Sequence, residues 1–250
     1  MKTTYIERET TDYGMFKYMD GNRSVEQSRV NKIKASIKKY GQLDPIEVNE
    51  KYEVGDGQGR LEACKQLKIP VKYMVIPGRT IEDYIAVNST HTNWTMLDYV
   101  DSWIKRAPNE KVRKAYQNIH TLMTNKKYTS IIAKSTILRL SVKNGDKYVD
   151  VIQSGKAELR DSMEDTIKML DFIMQFEETL KIVGKRNNYI RALVRAYNTR
   201  KVNRDKLAKR CPAFQYMIHG VASVEEAQKI LENVYNYKCR NRIKFDEDVA

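Results

Sequence analysis

The residues Gly55-Asp-Gly-Gln-Gly-Arg60 are the part of this 250-residue chain whose types and spacing suit binding chemistry. Three alternate glycines let backbone amides approach a ligand closely. Arg60 brings a full positive charge, and a helix starting here brings a partial one. Such a turn suits an oxyanion, phosphate above all. The spacing is not the G-x-x-x-x-G-K-[ST] of a P-loop, since no Lys-Ser/Thr pair follows, and it is not G-x-G-x-x-G. A tight turn with a surface arginine would look the same, so the residues alone leave phosphate cradle and structural turn both open. Asp56 is the nearest carboxylate that could hold Mg²⁺, although aspartate before glycine is also an ordinary turn residue. His91, His120 and His219 are isolated, and no clustered Asp/Glu/His set points to a two-metal centre. Cys64, Cys211 and Cys239 lie far apart, which suits neither a disulfide framework nor a four-thiolate zinc site. They read as reduced cytoplasmic thiols, mostly buried.

The turn must be held by its neighbours. Ser24-Val-Glu-Gln27 has the pattern of a capping box, and Val30, Ile33 and Ile37 follow at helical spacing until Gly41 ends the run. Pro45–Val48, Tyr52–Val54 and Val71–Ile76 are short apolar runs between turn residues and predict strands. Leu61–Leu67 predicts the helix after the turn. Residues 22–90 thus read as a small α+β unit: helix, two strands, glycine turn, helix, strand, helix.

Beyond Met96 the pattern becomes helical. Ser102–Arg106, Val112–Met123, Ser162–Ile182, Asn187–Arg200 and Val224–Tyr237 carry apolar residues at 3.6-residue spacing. The Met-rich stripe from Met163 to Leu180 reads as core packing. Trp94 and Tyr99 read as core anchors near a seam at Asn93–Leu97, which divides the chain into an expected domain 1–95 and an expected helical domain 96–250.

Charge is concentrated in the helical part. Lys+Arg 45 against Asp+Glu 32 gives a formal net charge of +13. Residues 1–100 are nearly balanced, while Lys181–Arg210 holds eleven basic residues and one acid, Asp205. Such a run repels itself unless counterions or a polyanion screen it, and phosphate backbones are the usual partner. Arg191 and Arg195, four apart, are expected to project together. Lys185, Arg186, Arg191, Arg195, Arg200, Lys201 and Arg204 are the expected nucleic-acid contacts. A solvated basic face with no dedicated partner is the plainer alternative. No apolar stretch is long enough to span a bilayer, and the start, MKTTYIERETTDYG, has no apolar core of a signal peptide. A cytoplasmic protein without membrane partners is therefore expected.

The stretch Ser28–Ile76 resembles the N-terminal domain of the ParB/sulfiredoxin superfamily. Gly41-Gln-Leu-Asp-Pro-Ile-Glu-Val48 is similar to the first box, with Asp44 where its core has glutamine. Gly57-Gln-Gly-Arg60, followed by Glu62-Ala63, is similar to the G-E-R-R-x-x-A box. Gly57, Arg60 and Ala63 match it, while Gln58 and Gly59 replace its glutamate and first arginine. Val87-Asn-Ser-Thr90 echoes the third box through Asn88. The segment 88–99 and the ending 234–245 look like phage and mobile-element members.

The resemblance implies a nucleoside triphosphate, CTP or ATP with Mg²⁺, coupled to DNA binding. Gly57, Gln58, Gly59 and Arg60 would cradle phosphates, Gln42 and Pro45 would shape the pocket wall, and Asn88 would contact phosphate or metal. A homodimer is implied as well, although no heptad pattern marks it. Gln58 stands where sulfiredoxins carry their catalytic cysteine, so that thiol chemistry is not implied. A helix-turn-helix is expected near 128–142, with Thr129–Ala133 and Ser135–Leu140 as its helices and Lys126, Lys127, Lys134 and Arg139 flanking it. In the ending, Tyr235, Tyr237 and Phe245 among Lys238, Arg240, Arg242 and Lys244 suit either stacking on single strands or a packed tail. Three functions remain open at this point: a nucleotide-gated DNA-binding protein, a nuclease or nucleotide hydrolase using the same turn, and a phage-type inhibitor in which the turn is only structural.

Overall fold

A computed structural model describes residues 5–91, 94–183 and 186–245, with the side chains of 88–91 outside the described set. The chain is α+β and forms two compact units, Met1–Arg113 and Lys114–Ala250.

The first unit is built on a five-stranded mixed sheet. Its strands are β1 (Glu7–Thr10), β2 (Lys17–Tyr18), β3 (Ile46–Val48), β4 (Glu53–Asp56) and β5 (Val71–Val75), in the order β1-β5-β3-β4-β2. β3 runs antiparallel to β4 and parallel to β5. The helices are α1 (Gln27–Tyr40), α2 (Gln58–Leu67), α3 (Ile81–His91) and α4 (Met96–Arg106). α1 and α2 close the core over Ile46, Val48, Val54, Val71 and Tyr73 with Val30, Ile37, Leu61, Ala63 and Cys64. The central strands and both helices match the sequence pattern. β1 and β2 carry mostly exposed residues and show no clear alternation. The Gly41 amide bonds the Ile37 carbonyl at 2.8 Å and ends α1 as expected.

The capping box at Ser24 is not formed. α1 begins at Gln27, later than that cap would start it, with Glu26 at the N-cap and no side-chain cap. Asn22, just ahead of that cap, is held to the sheet instead, its side-chain amide donating to the Gly55 carbonyl at 2.7 Å. α4, beyond the expected seam, belongs to this first unit. Its Lys105 donates to the Asn22 carbonyl at 2.9 Å, and Arg106 pairs with Glu82. Trp94 is buried, with its ring 5.2 Å from that of Tyr99.

The chain passes to the second unit within α5 (Glu110–Thr124). This unit holds α6 (Lys126–Thr129), α7 (Lys134–Ser141), α8 (Tyr148–Gln153), α9 (Met163–Met174), α10 (Glu177–Ile182), α11 (Arg186–Asn198), α12 (Arg204–Ala213) and α13 (Val224–Asn236). Leu170, Ile173, Phe176, Leu180, Ile190, Leu193, Leu207, Leu231 and Val234 are central to its core. The expected helix 162–182 is two helices, broken at Gln175 and Phe176. The expected helix Thr129–Ala133 is absent. One helical turn ends at Thr129, and Ile131 and Ile132 are buried in the turn that follows. Only the second member of the expected helix-turn-helix, as α7, is a helix where the sequence places it.

Candidate anion-binding site

The glycine turn is a single-residue connection from β4 to α2. Gly57 sits at φ +88°, the left-handed region that favours glycine, and is the N-cap of α2. A Cβ there would also meet Ile46 Cγ2 at 2.7 Å. Gly55 faces the Tyr84 ring so closely that any Cβ would overlap it. Gly59 lies where α1 closes on α2, with Ile33 Cδ1 2.9 Å from a Cβ position. Each glycine therefore has a packing reason of its own.

The same turn lines a cavity of about 280 Å³. Asn22, Arg23, Glu26 and Arg29 form one side, Asp56 to Arg60 another, and Thr95 with Asp98 a third. The beginnings of three helices thus meet at one space. α4 is capped, since the Thr95 hydroxyl oxygen accepts from the Asp98 amide and the Asp98 carboxylate accepts from the Thr95 amide at 2.8 Å. α2 has no side-chain cap. The amides of Arg60 and Leu61 reach the Gly57 carbonyl, which leaves those of Gln58 and Gly59 without an intrahelical acceptor at the cavity wall.

The cations divide into two kinds. Arg60 is committed: its Nη2 donates to Asp56 Oδ2 at 2.8 Å and to the Pro45 carbonyl at 3.2 Å. Its Nε is buried with no acceptor among the described residues. The guanidinium groups of Arg23 and Arg29 make no hydrogen bond or ion pair among the described residues. Burial, and next the charge of Arg29, push Arg23 below its ordinary value, while Asp98, Asp56 and Glu26 oppose that shift. Two like charges in a partly buried space favour an anion between them. Behind the turn, Glu47 pairs with Arg79 at 2.6 Å and is raised mainly by burial. The buried Tyr84 phenol beside them is pushed up to about 12, first by desolvation.

Other expected residues stand elsewhere. Gln42 does not line the cavity. Its amide brackets Lys72 of β5, donating to the carbonyl and accepting from the N–H, both at 2.8 Å, and the Cys64 thiol donates to its oxygen. Pro45 contributes its carbonyl to Arg60 and does not line the cavity. Asn88 lies on α3, but its side chain falls outside the described residues, as does Lys185 as a whole. Arg23 and Arg29 are invisible to a motif search because neither belongs to a motif.

In the second unit, Arg186, Arg191, Arg200 and Lys201 are exposed and have no acidic partner among the described residues. Arg195 corrects the expectation that it projects beside Arg191. It is 8 % exposed, and its Nη1 donates to Gln228 Oε1 at 2.8 Å because α13 covers that face of α11. Arg204 folds back over the Tyr197 ring at 3.8 Å and donates to the Tyr197 carbonyl. Lys127, expected to flank the helix-turn-helix, pairs with Asp171 at 2.6 Å.

No family model matches the chain, and no curated protein matches it. Among solved structures the chain is similar to the C2221 form of a Pnob8-like ParB-N domain, at 18 % identity over 95 % of each chain with a TM-score of 0.34. A likeness of that size shows no family. Among the described residues no helix is long and apolar enough to cross a membrane.

Proposed function

We propose that this chain is a ParB-like nucleic-acid-binding protein whose first unit holds the phosphates of a nucleotide at the 57–60 turn. The observation that carries the reading is a cavity where Arg23 and Arg29, whose guanidinium groups bond no other described residue, share a wall with the uncapped start of α2. Uncapped amides and guanidinium groups are the usual receptors for phosphate oxygens. A nucleoside triphosphate would be held by Arg23, Arg29 and the amides of Gln58 and Gly59. Glu26 is a wall carboxylate with no hydrogen bond or ion pair from its side chain among the described residues, and it would hold a Mg²⁺ carried by the phosphates. Bound there, the nucleotide supplies negative charge that relieves the repulsion between Arg23 and Arg29. Asp56 is tied to Arg60 and Asp98 to the cap of α4, so the arrangement favours binding over hydrolysis. DNA would be met by Arg186, Arg191, Arg200 and Lys201 of the second unit.

A ligand that binds only the folded state raises its melting temperature. Thermal-shift titration with CTP and ATP, with and without Mg²⁺, is expected to raise the melting temperature with at least one nucleotide. No shift with either nucleotide at millimolar concentration would count against the reading.

A further inference from the structure

Beyond α12 and at the end of α13, Tyr216 and Tyr237 stand outside the core, on either side of Phe214, which packs against it. Tyr216 is 77 % exposed and Tyr237 is 41 % exposed, with the half-buried Phe214 between them. The Phe214 ring centroid lies 4.6 Å from that of Tyr237 and 6.1 Å from that of Tyr216. In the same ending, Tyr235 and Phe245 are buried in the core, so Tyr237 is the ring left outside.

Backbone bonds hold this row in place. Phe214 caps α12, its amide bonding the Arg210 and Cys211 carbonyls, and Tyr237 caps α13. Arg210 fastens the two ends together. Its Nη1 donates to the carbonyls of Tyr235 at 2.7 Å and Tyr237 at 2.9 Å, the groups that the last turn of α13 leaves unsatisfied. A backbone held in this way keeps the Phe214 and Tyr237 rings side by side for a partner to stack on. The Lys238 ammonium lies 5.5 Å from the Tyr237 ring centre, and Lys209, Lys238 and Arg240, close in sequence to the rings, are exposed.

We propose that Tyr216, Phe214 and Tyr237 form a stacking platform for the bases of single-stranded nucleic acid, with Lys209, Lys238 and Arg240 meeting its phosphates. The inference rests on the reading of the second unit as nucleic-acid-binding, and adds that the partner is single-stranded. A duplex keeps its base faces inside the stack, whereas a single strand offers them to aromatic rings. Positive charge at the rim matches a polyanion and disfavours a basic or purely apolar partner.

The test compares, by fluorescence anisotropy on the full chain, a labelled oligothymidine, an abasic strand of equal length and charge, and a duplex. The wild type is expected to bind the oligothymidine about tenfold more tightly than the abasic strand. Tyr216→Ala with Tyr237→Ala should abolish that difference and leave duplex affinity unchanged. Equal affinity of the wild type for the base-bearing and abasic strands would overturn the platform while leaving the nucleic-acid reading standing. Binding to none of the three would overturn both. The wild-type comparison needs no variant, and Tyr216→Ala alone changes a residue too exposed to be needed for folding.

Discussion

Arg60 is the residue its motif singles out, yet its charge is spent inside the protein. The ion pair with Asp56 at 2.8 Å makes the two nearly neutral toward anything in the cavity. This changes what a mutation should do. Arg60→Ala leaves Asp56 as an uncompensated negative charge beside the bound phosphate, and is expected to weaken nucleotide binding by about tenfold. Adding Asp56→Asn removes that charge and should restore most of the affinity. If Arg60 touched the phosphate directly, the double variant would stay as weak as the single one, and calorimetric titration of both proteins separates the two cases. Arg23 and Arg29 cannot be found in the same way. An arginine just before a helix and another in its first turn look like ordinary surface residues until the fold brings them to the glycine turn.

At the scale of elements, α1, α2 and the strands β3 to β5 are legible because each carries its own apolar period and ends on a turn residue. The start of α1 is not, since the Asn22 bond to Gly55 is a tertiary interaction that outweighs the local capping pattern. The break between α9 and α10 is hidden by apolar spacing that continues through Phe176. Arg195 illustrates a similar limit. Its spacing from Arg191 places both on neighbouring positions of α11, but only the packing of α13 shows that one of them is covered. There Gln228 accepts from Arg195 and donates to the Phe245 carbonyl at 3.0 Å, so one buried chain of bonds ties α11, α13 and the C-terminal segment. Removing one member leaves buried polar groups unpaired. Arg195→Ala is expected to lower stability by about 2 kcal/mol, measured by urea unfolding, whereas Arg191→Ala should leave it unchanged. Equal midpoints for the two variants would contradict the structural role of Arg195.

At the scale of the whole molecule, the charge asymmetry seen in the sequence remains after the structural corrections. Arg195 and Arg210 are drawn into their own unit and the exposed Arg204 is bonded to the Tyr197 carbonyl, while Arg186, Arg191, Arg200, Lys201 and Lys209 stay exposed. Each phosphate that a cation neutralises releases counterions and steepens the fall of affinity with salt. Arg191→Glu with Lys201→Glu is expected to weaken duplex DNA binding and to flatten the salt dependence by about 0.9 in logarithmic slope for each phosphate no longer neutralised. An unchanged slope would move DNA binding to another face. The cavity itself is probed by calorimetric titration of CTP and ATP with Mg²⁺ into the wild type and into Arg23→Ala with Arg29→Ala. Binding by the wild type that disappears in the variant, with the melting temperature of the free protein no lower than that of the wild type, is the result predicted. Equal heats from the two proteins would contradict the assignment of Arg23 and Arg29 to the anion.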